Sequence, residues 1–241
     1  MEHNDADKIS DKTQLTFEDR ATAANILGEL LKNAIKEEED RKKSIVLGIP
    51  RGGVIIADII ARKLSAEFNV IIPRKLRSPH NEEVAIGAVM DDGTTYLNEL
   101  IVRGLEISPE YIEKEKLLQL DEIRHRTSLY HSSLPSIKGY DLHNRIVILA
   151  DDGAATGATI IAASRWIRAT KSPSRFIIAI PVAPKDTVNL LRREAIDHIE
   201  VITSPSNSNF GSVGQYYRSF ESVSDEEVLE IIGKSSRGRT K

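Results

Sequence analysis

The sequence predicts an α/β protein with a doubly wound, mainly parallel sheet. Two observations carry this expectation. Short runs such as Ile45-Val46-Leu47 and Ile146-Val147-Ile148-Leu149-Ala150 are apolar without alternation, the signature of strands buried on both faces. Such runs are followed by segments whose apolar residues recur at helical spacing, and that alternation of strand and helix winds a parallel sheet.

The elements follow in order. Residues 1–13 are polar and read as a mobile tail; residues 14–232 read as one domain. Thr16 is placed to cap a helix running through Ala24, Ile26, Leu27, Leu30, Leu31 and Ile35, with Glu18 and Asp19 in its first turn. Glu37 to Lys43 reads as a solvated helix end and linker. A buried strand, Ser44 to Ile49, is interrupted by Pro50-Arg51-Gly52-Gly53 and followed by a helix from Val54 to Leu64. Phe68 to Ile72 is the next strand. Arg74 to Glu83 is polar and contains Pro79, so it is expected to be a loop. Val84 to Met90 and Thr94 to Leu97 flank the turn Asp91-Asp92-Gly93.

Ser108-Pro109 opens a long helix, Ser as cap and Pro at the first helical position, which continues to about Tyr130. Ser133 to Asn144 connects it to the strand Arg145 to Ala150. Then come a helix (Gly157 to Thr170), a strand (Arg175 to Val182), a helix (Lys185 to Glu194) and a strand (His198 to Thr203). Ser204 to Gly214 is rich in Ser, Asn and Gly and reads as a long loop. Ser224 caps a last helix through Val228, Leu229 and Ile232, and Gly233 to Lys241 reads as a basic tail.

Composition narrows the function classes. The 241 residues carry a formal charge of −3, which gives no bulk attraction for nucleic acid. The chain has no cysteine, which excludes disulfides, thiolate metal sites and a cysteine nucleophile. No run approaches the roughly 18–20 apolar residues that span a bilayer. Met1 to Lys12 lacks the basic-then-apolar order of a signal peptide. A soluble, cytoplasmic protein is expected, with neither membrane nor nucleic-acid partner.

Ligands of such sheets bind at the carboxyl ends of the strands, and three loops there carry unusual residues. The first is Asp151-Asp152-Gly153-Ala154-Ala155-Thr156-Gly157-Ala158-Thr159. Its small side chains expose backbone N–H groups at a helix start, which makes a phosphate cradle. Thr156 and Thr159 add hydroxyl donors. The adjacent acids would repel phosphate and so need sugar hydroxyls or a Mg²⁺ shell. A ligand with a phosphate a few ångströms from a diol satisfies both halves. No Gly-Lys-Ser/Thr follows, so this is not a Walker A loop.

The second loop is Pro50-Arg51-Gly52-Gly53, where backbone amides and a guanidinium can meet an anion; taken alone it reads more readily as a tight turn with an exposed Arg, and its place after a buried strand, about 100 residues before the Asp-Asp loop, supports the anion reading. The third is Pro73 to Glu83, whose Arg74-Lys75-Leu76-Arg77 puts three cations in four positions, read as a lid over the site or as a solvated turn. His80 reads as a surface residue, Asp91-Asp92-Gly93 as a turn, and Trp166 as a packing residue. His3, His143 and His198 show no metal-ligand spacing.

The segment Val147 to Thr159 resembles the 5-phosphoribosyl-1-pyrophosphate (PRPP) signature of type I phosphoribosyltransferases. It departs where Gly153 and Ala154 stand in place of larger aliphatic residues. It is therefore closer to the stand-alone phosphoribosyltransferase-domain proteins, which it resembles from about Phe17 to Ile232. The resemblance implies a flexible lid at the third loop and a C-terminal hood at about 204–220. It implies PRPP-dependent transfer of the 5-phosphoribosyl group, with Mg²⁺, to a nitrogenous-base acceptor. Asp151 and Asp152 would hold the ribose. Arg51, Gly52, Gly53, Arg74 and Lys75 would face pyrophosphate. Mg²⁺ would be held mainly through PRPP, with Asp151 and Asp152 as further ligands. Phe210, Tyr216, Tyr217 and Phe220 of the hood could stack on the acceptor, or equally serve only to anchor the segment to the core. A homodimer is expected, with the helix from Ser108 available for a partner. The alternative is a regulator of the same fold that binds PRPP or a nucleotide without turnover.

Overall fold

The computed structural model describes residues 16–81, 84–131 and 141–237. The expected tail at 1–13, most of the connection at 133–144 and the end of the C-terminal tail lie outside them.

Five parallel strands form the main sheet. They are β1 (Ile45–Gly48), β2 (Glu67–Val70), β6 (Ile146–Ala150), β7 (Arg175–Val182) and β8 (His198–Thr203), in the order β2-β1-β6-β7-β8. Their apolar runs follow from a helix layer on each face. In β6, Ile148 and Ala150 pack into one core, and Val147 and Leu149 into the other. Helices α1 (Arg20–Ala34), α3 (Gly52–Leu64) and α8 (Asp225–Arg237) cover the first face. Helices α6 (Ala158–Lys171) and α7 (Lys185–Leu191) cover the second. Between α1 and β1, α2 (Glu38–Lys43) is short and buries nothing, as its charges require.

A second sheet is antiparallel, β3 (Arg74–Arg77), β4 (Ala85–Val89) and β5 (Thr95–Leu97) in that order. The turn at Asp91-Asp92-Gly93 falls between β4 and β5 as expected, with Gly93 at φ 87°. Beyond it lie α4 (Glu99–Gly104) and the long α5 (Pro109–His131), whose Ser108 hydroxyl accepts from the Tyr111 amide.

Three expectations need correction. Arg74 to Arg77 is a strand, because β4 supplies a pairing edge and Leu76 is fully buried between its charged neighbours. Asp19, not Thr16, caps α1: its carboxylate accepts from the Thr22 amide at 2.7 Å. Phe17 lies before the helix and pairs with Tyr217. The last helix runs on to Arg237, past the expected end at Ile232.

Candidate functional site

The carboxyl ends of β1 and β6 and the edge of β3 open on one cavity of about 510 Å³. All three singled-out loops line it, with a fourth contribution from the C-terminal segment through Val213, Phe220, Ser222 and Val223.

The β6 end is the most tightly built wall. Asp151 and Asp152 follow the strand directly, and both line the cavity. The Asp152 amide donates to Asp151 Oδ1 at 2.9 Å. Burial holds the Asp151 carboxyl well above the ordinary carboxylate range, and the Asp152 charge adds to the shift. Burial raises Asp152 as well, against the Arg20 guanidinium, which pulls it down. Lys75 lowers both, so the third loop faces the acid pair electrostatically.

After the acids, Ala154 is pinned by its amide to the Val182 carbonyl at 2.9 Å, and the Ala155 carbonyl accepts from the Thr187 hydroxyl. Gly157 adopts φ 73° to turn the chain into α6, a conformation that costs a side-chain-bearing residue energy. Among the described residues, the amides of Ala155, Thr156 and Gly157 have no hydrogen-bond partner. They stand at the start of a 14-residue helix, where donors and dipole favour an anion. Ala158 is buried at the cradle's base, and Thr159 lines the cavity. The departure at Gly153 has a local cause: a Cβ there would lie 2.6 Å from Val213 Cγ1, so the C-terminal segment fills the space a larger residue would take.

The β1 end gives the Pro50–Arg51 peptide, which is cis, and then the start of α3. Gly52 and Gly53 answer first to the acids. A Cβ on Gly52 would sit 1.8 Å from Asp152 Oδ2, and one on Gly53 2.8 Å from the Ala150 carbonyl oxygen. The sequence-based reason for this pair, close approach of amides to an anion, covers half of what the packing demands.

The β3 wall is cationic. Arg74 is largely engaged by α5: its Nε donates to Gln119 at 3.1 Å, and Glu122 lies at 3.9 Å. Burial lowers its pKa, with Arg126 adding to the effect. The buried Glu115 accepts from the Arg77 amide and from Gln119, stitching strand to helix. Arg51 and Lys75 both line the cavity, and among the described residues neither side chain has a hydrogen-bonded or ion-pair partner.

Two features were not read from the sequence. Arg20 lines the cavity from α1 and pairs with Asp152 at 2.8 Å. A single arginine at a helix start gives no signal for this. Conversely, Tyr216 and Tyr217, expected as acceptor contacts, are 1% and 6% exposed. Phe210 stacks on Tyr216 with centroids 5.8 Å apart. The Tyr217 hydroxyl donates to the Asp152 carbonyl at 2.6 Å. These rings anchor the segment, and Phe220 is the hood aromatic that reaches the cavity.

Residues 14–218 match the phosphoribosyl transferase domain family. Two Mycobacterium tuberculosis proteins, MT0597 and Rv0571c, provisionally named phosphoribosyl transferases, are each 34% identical over 221 residues. That alignment takes in 92% of this chain and 47% of theirs, so the chain spans about half the length of these relatives. The crystal structure of TT1426 from Thermus thermophilus is similar over 91% of this chain and 98% of its own, at 35% identity and a TM-score of 0.72.

Proposed function

Since the chain belongs to the phosphoribosyl transferase domain family, we propose that it binds PRPP and transfers the 5-phosphoribosyl group to a small nitrogenous acceptor, releasing pyrophosphate. The observation that carries this reading is the cavity's polarity. Unpartnered amides at the start of α6 and two half-buried acids lie along one wall, and Arg51 and Lys75, whose side chains have no partner among the described residues, lie on the others.

The amides of Ala155, Thr156 and Gly157 would take the 5-phosphate, with the Thr156 and Thr159 hydroxyls beside them. Asp151 and Asp152 would accept from the ribose hydroxyls. Arg51, Lys75 and the amides at Gly52 and Gly53 would take pyrophosphate, with Arg74 held behind them by α5. The acceptor nitrogen forms its bond to the anomeric carbon as the bond to the pyrophosphate oxygen breaks, through an oxocarbenium-like transition state. Charge then grows on the leaving group, where fixed cations and amides lower the barrier most. No covalent nucleophile is required; positioning does most of the work. Phe220 and Val213 give the acceptor side an apolar wall.

The donor set also suits Mg²⁺ brought in by the substrate. Among the described residues no group of three potential ligands exists, and Mg²⁺ is commonly held by one or two carboxylates plus substrate phosphates. Asp151, the member of the pair with no cation bound to it, would be the protein's main contribution. When bound, the ion would neutralise charge on the pyrophosphate.

The test is a pyrophosphate-release assay with PRPP, Mg²⁺ and a panel of purine, pyrimidine and other nitrogen acceptors. Replacing Asp151 and Asp152 together by Ala is expected to lower turnover by at least ~10³-fold with the fold retained. Undiminished turnover in that variant overturns the assignment. Tight PRPP binding without release under any acceptor would make the protein a regulator.

A further inference from the structure

Arg20 opens α1, yet its guanidinium lies inside the cavity with its side chain only 11% exposed. Three contacts fix it. Nε donates to Asp152 Oδ2 at 2.8 Å. Nη1 donates to the Glu221 carbonyl at 2.8 Å. The guanidinium carbon lies 3.9 Å from the centroid of the Phe220 ring. Phe220 in turn stacks on Tyr217, and Tyr217 meets Phe17 at a tilt, so a run of ring contacts leads from the core to this arginine.

The pairing leaves the acids in complementary states. Asp151 is anchored through Oδ1 by the Asp152 amide, and among the described residues its Oδ2 accepts nothing. Asp152 is anchored through Oδ2 by Arg20, and among the described residues its Oδ1 accepts nothing. Each carboxylate has one oxygen fixed and one offered, a matched pair of acceptors for two neighbouring hydroxyls. The pyrophosphate loop is cut back to make room: a Cβ on Gly52 would also come within 2.8 Å of Arg20 Nε. A partly buried ion pair is weak evidence for stability, because desolvation offsets much of its attraction. Fixing the orientation of a carboxylate is a role that survives that offset.

We infer that Arg20 is a positioning residue for the sugar: it holds one oxygen of Asp152 so that the other is presented to a ribose hydroxyl. It also ties that acid to the C-terminal wall through Phe220 and Glu221. The inference rests on reading the cavity as a pentose-phosphate site.

The test is calorimetric binding to the full chain of four probes: ribose 5-phosphate, its 2-deoxy and 3-deoxy analogues, and inorganic pyrophosphate. Thermal melting checks the fold. Arg20→Gln is expected to weaken ribose 5-phosphate by roughly 10–100-fold. Pyrophosphate affinity should fall clearly less than that for ribose 5-phosphate, since the Arg20 guanidinium is tied to Asp152 and to the Glu221 carbonyl. The decisive readout is hydroxyl discrimination. Wild type should prefer ribose over at least one deoxy analogue by about tenfold, and Arg20→Gln should bring that ratio close to one. Arg20→Lys, which keeps the charge but not the fork that reaches Asp152 and the Glu221 carbonyl together, should recover part of it.

If Arg20→Gln folds and keeps the wild-type discrimination, Arg20 is structural only and the inference fails while the pentose-phosphate reading stands. If wild type binds none of the sugar phosphates, that reading falls and the inference with it. If Arg20→Gln does not fold, Arg20→Lys carries the comparison; failure of both to fold assigns Arg20 to stability and overturns the inference.

Discussion

The two sheets meet the cavity in opposite ways. β6 is buried on both faces and delivers Asp151 and Asp152 with little freedom, the backbone around them tied to Val182 and Ala179. β3 has one fully buried residue, Leu76, and carries Arg74, Lys75 and Arg77 on a thin antiparallel sheet stitched to α5 by Glu115. On the proposed reading, the difference suits what each wall would recognise. A sugar diol has to be met at fixed angles, which close-packed backbone provides. A diffuse polyanion needs only nearby charge, which long side chains on an edge strand provide. The β6 wall should therefore fail sharply when perturbed and the β3 wall gradually.

Gly52→Ala breaks the comparison most severely. Its Cβ would stand 1.8 Å from Asp152 Oδ2, so backbone or carboxylate must move. A loss of ~2–4 kcal/mol in stability is expected with at least ~100-fold weaker PRPP binding, read by melting and calorimetry. Wild-type affinity in this variant would show that the acid wall is not rigid.

Lys75→Ala probes the other wall. The side chain is exposed and without a bonded partner among the described residues, so the melting point should hardly move. The ratio kcat/KM for PRPP should fall by about 10–100-fold, chiefly through kcat, where charge on the leaving group grows. An effect as complete as that of Gly52→Ala would erase the distinction between the walls.

The smallest effect comes from Asp151→Asn in the absence of ligand. Burial raises the folded carboxyl above its unfolded value, so the folded state binds the proton more tightly. This group's contribution to stability is full below the unfolded value of 3.8 and is lost as pH rises through the raised folded value. Denaturant unfolding should therefore find Asn more stable than Asp by ~1–2 kcal/mol near neutral pH, with the gap closing toward about pH 4. A pH-independent difference would contradict the burial of this carboxyl.

What was legible in the sequence follows the same division. β6 and β7 announce themselves because two cores pack on them, leaving no room for a polar residue. α5 is marked by Ser108-Pro109, whose capping chemistry is local. The loop at Asp151 to Thr159 reads as the approach to a helix because small residues before a helix are a short-range signal, and α6 begins there. β3 was hidden, since Arg-Lys-Leu-Arg has one apolar position and its pairing depends on β4, some ten residues further on. The tyrosines at 216 and 217 left two readings open because an aromatic ring signals burial and stacking alike, and their burial favours the anchoring one. Arg20 could not be found at all: its partner is 132 residues away.

That long reach matters for how the protein is made. The cavity needs Arg20 and the Glu221 carbonyl, 201 positions later. At synthesis rates of about 5–20 residues per second, roughly 10–40 s separate the emergence of the two. During that interval Asp152 can be translated while the Phe220 and Glu221 supports for Arg20 are still missing. A nascent chain would thus hold much of its cationic wall and its acid pair before the cavity can close. On ribosomes stalled between Asp152 and Phe220, ribose 5-phosphate should therefore find no ordered site, and affinity should arrive with the C-terminal segment.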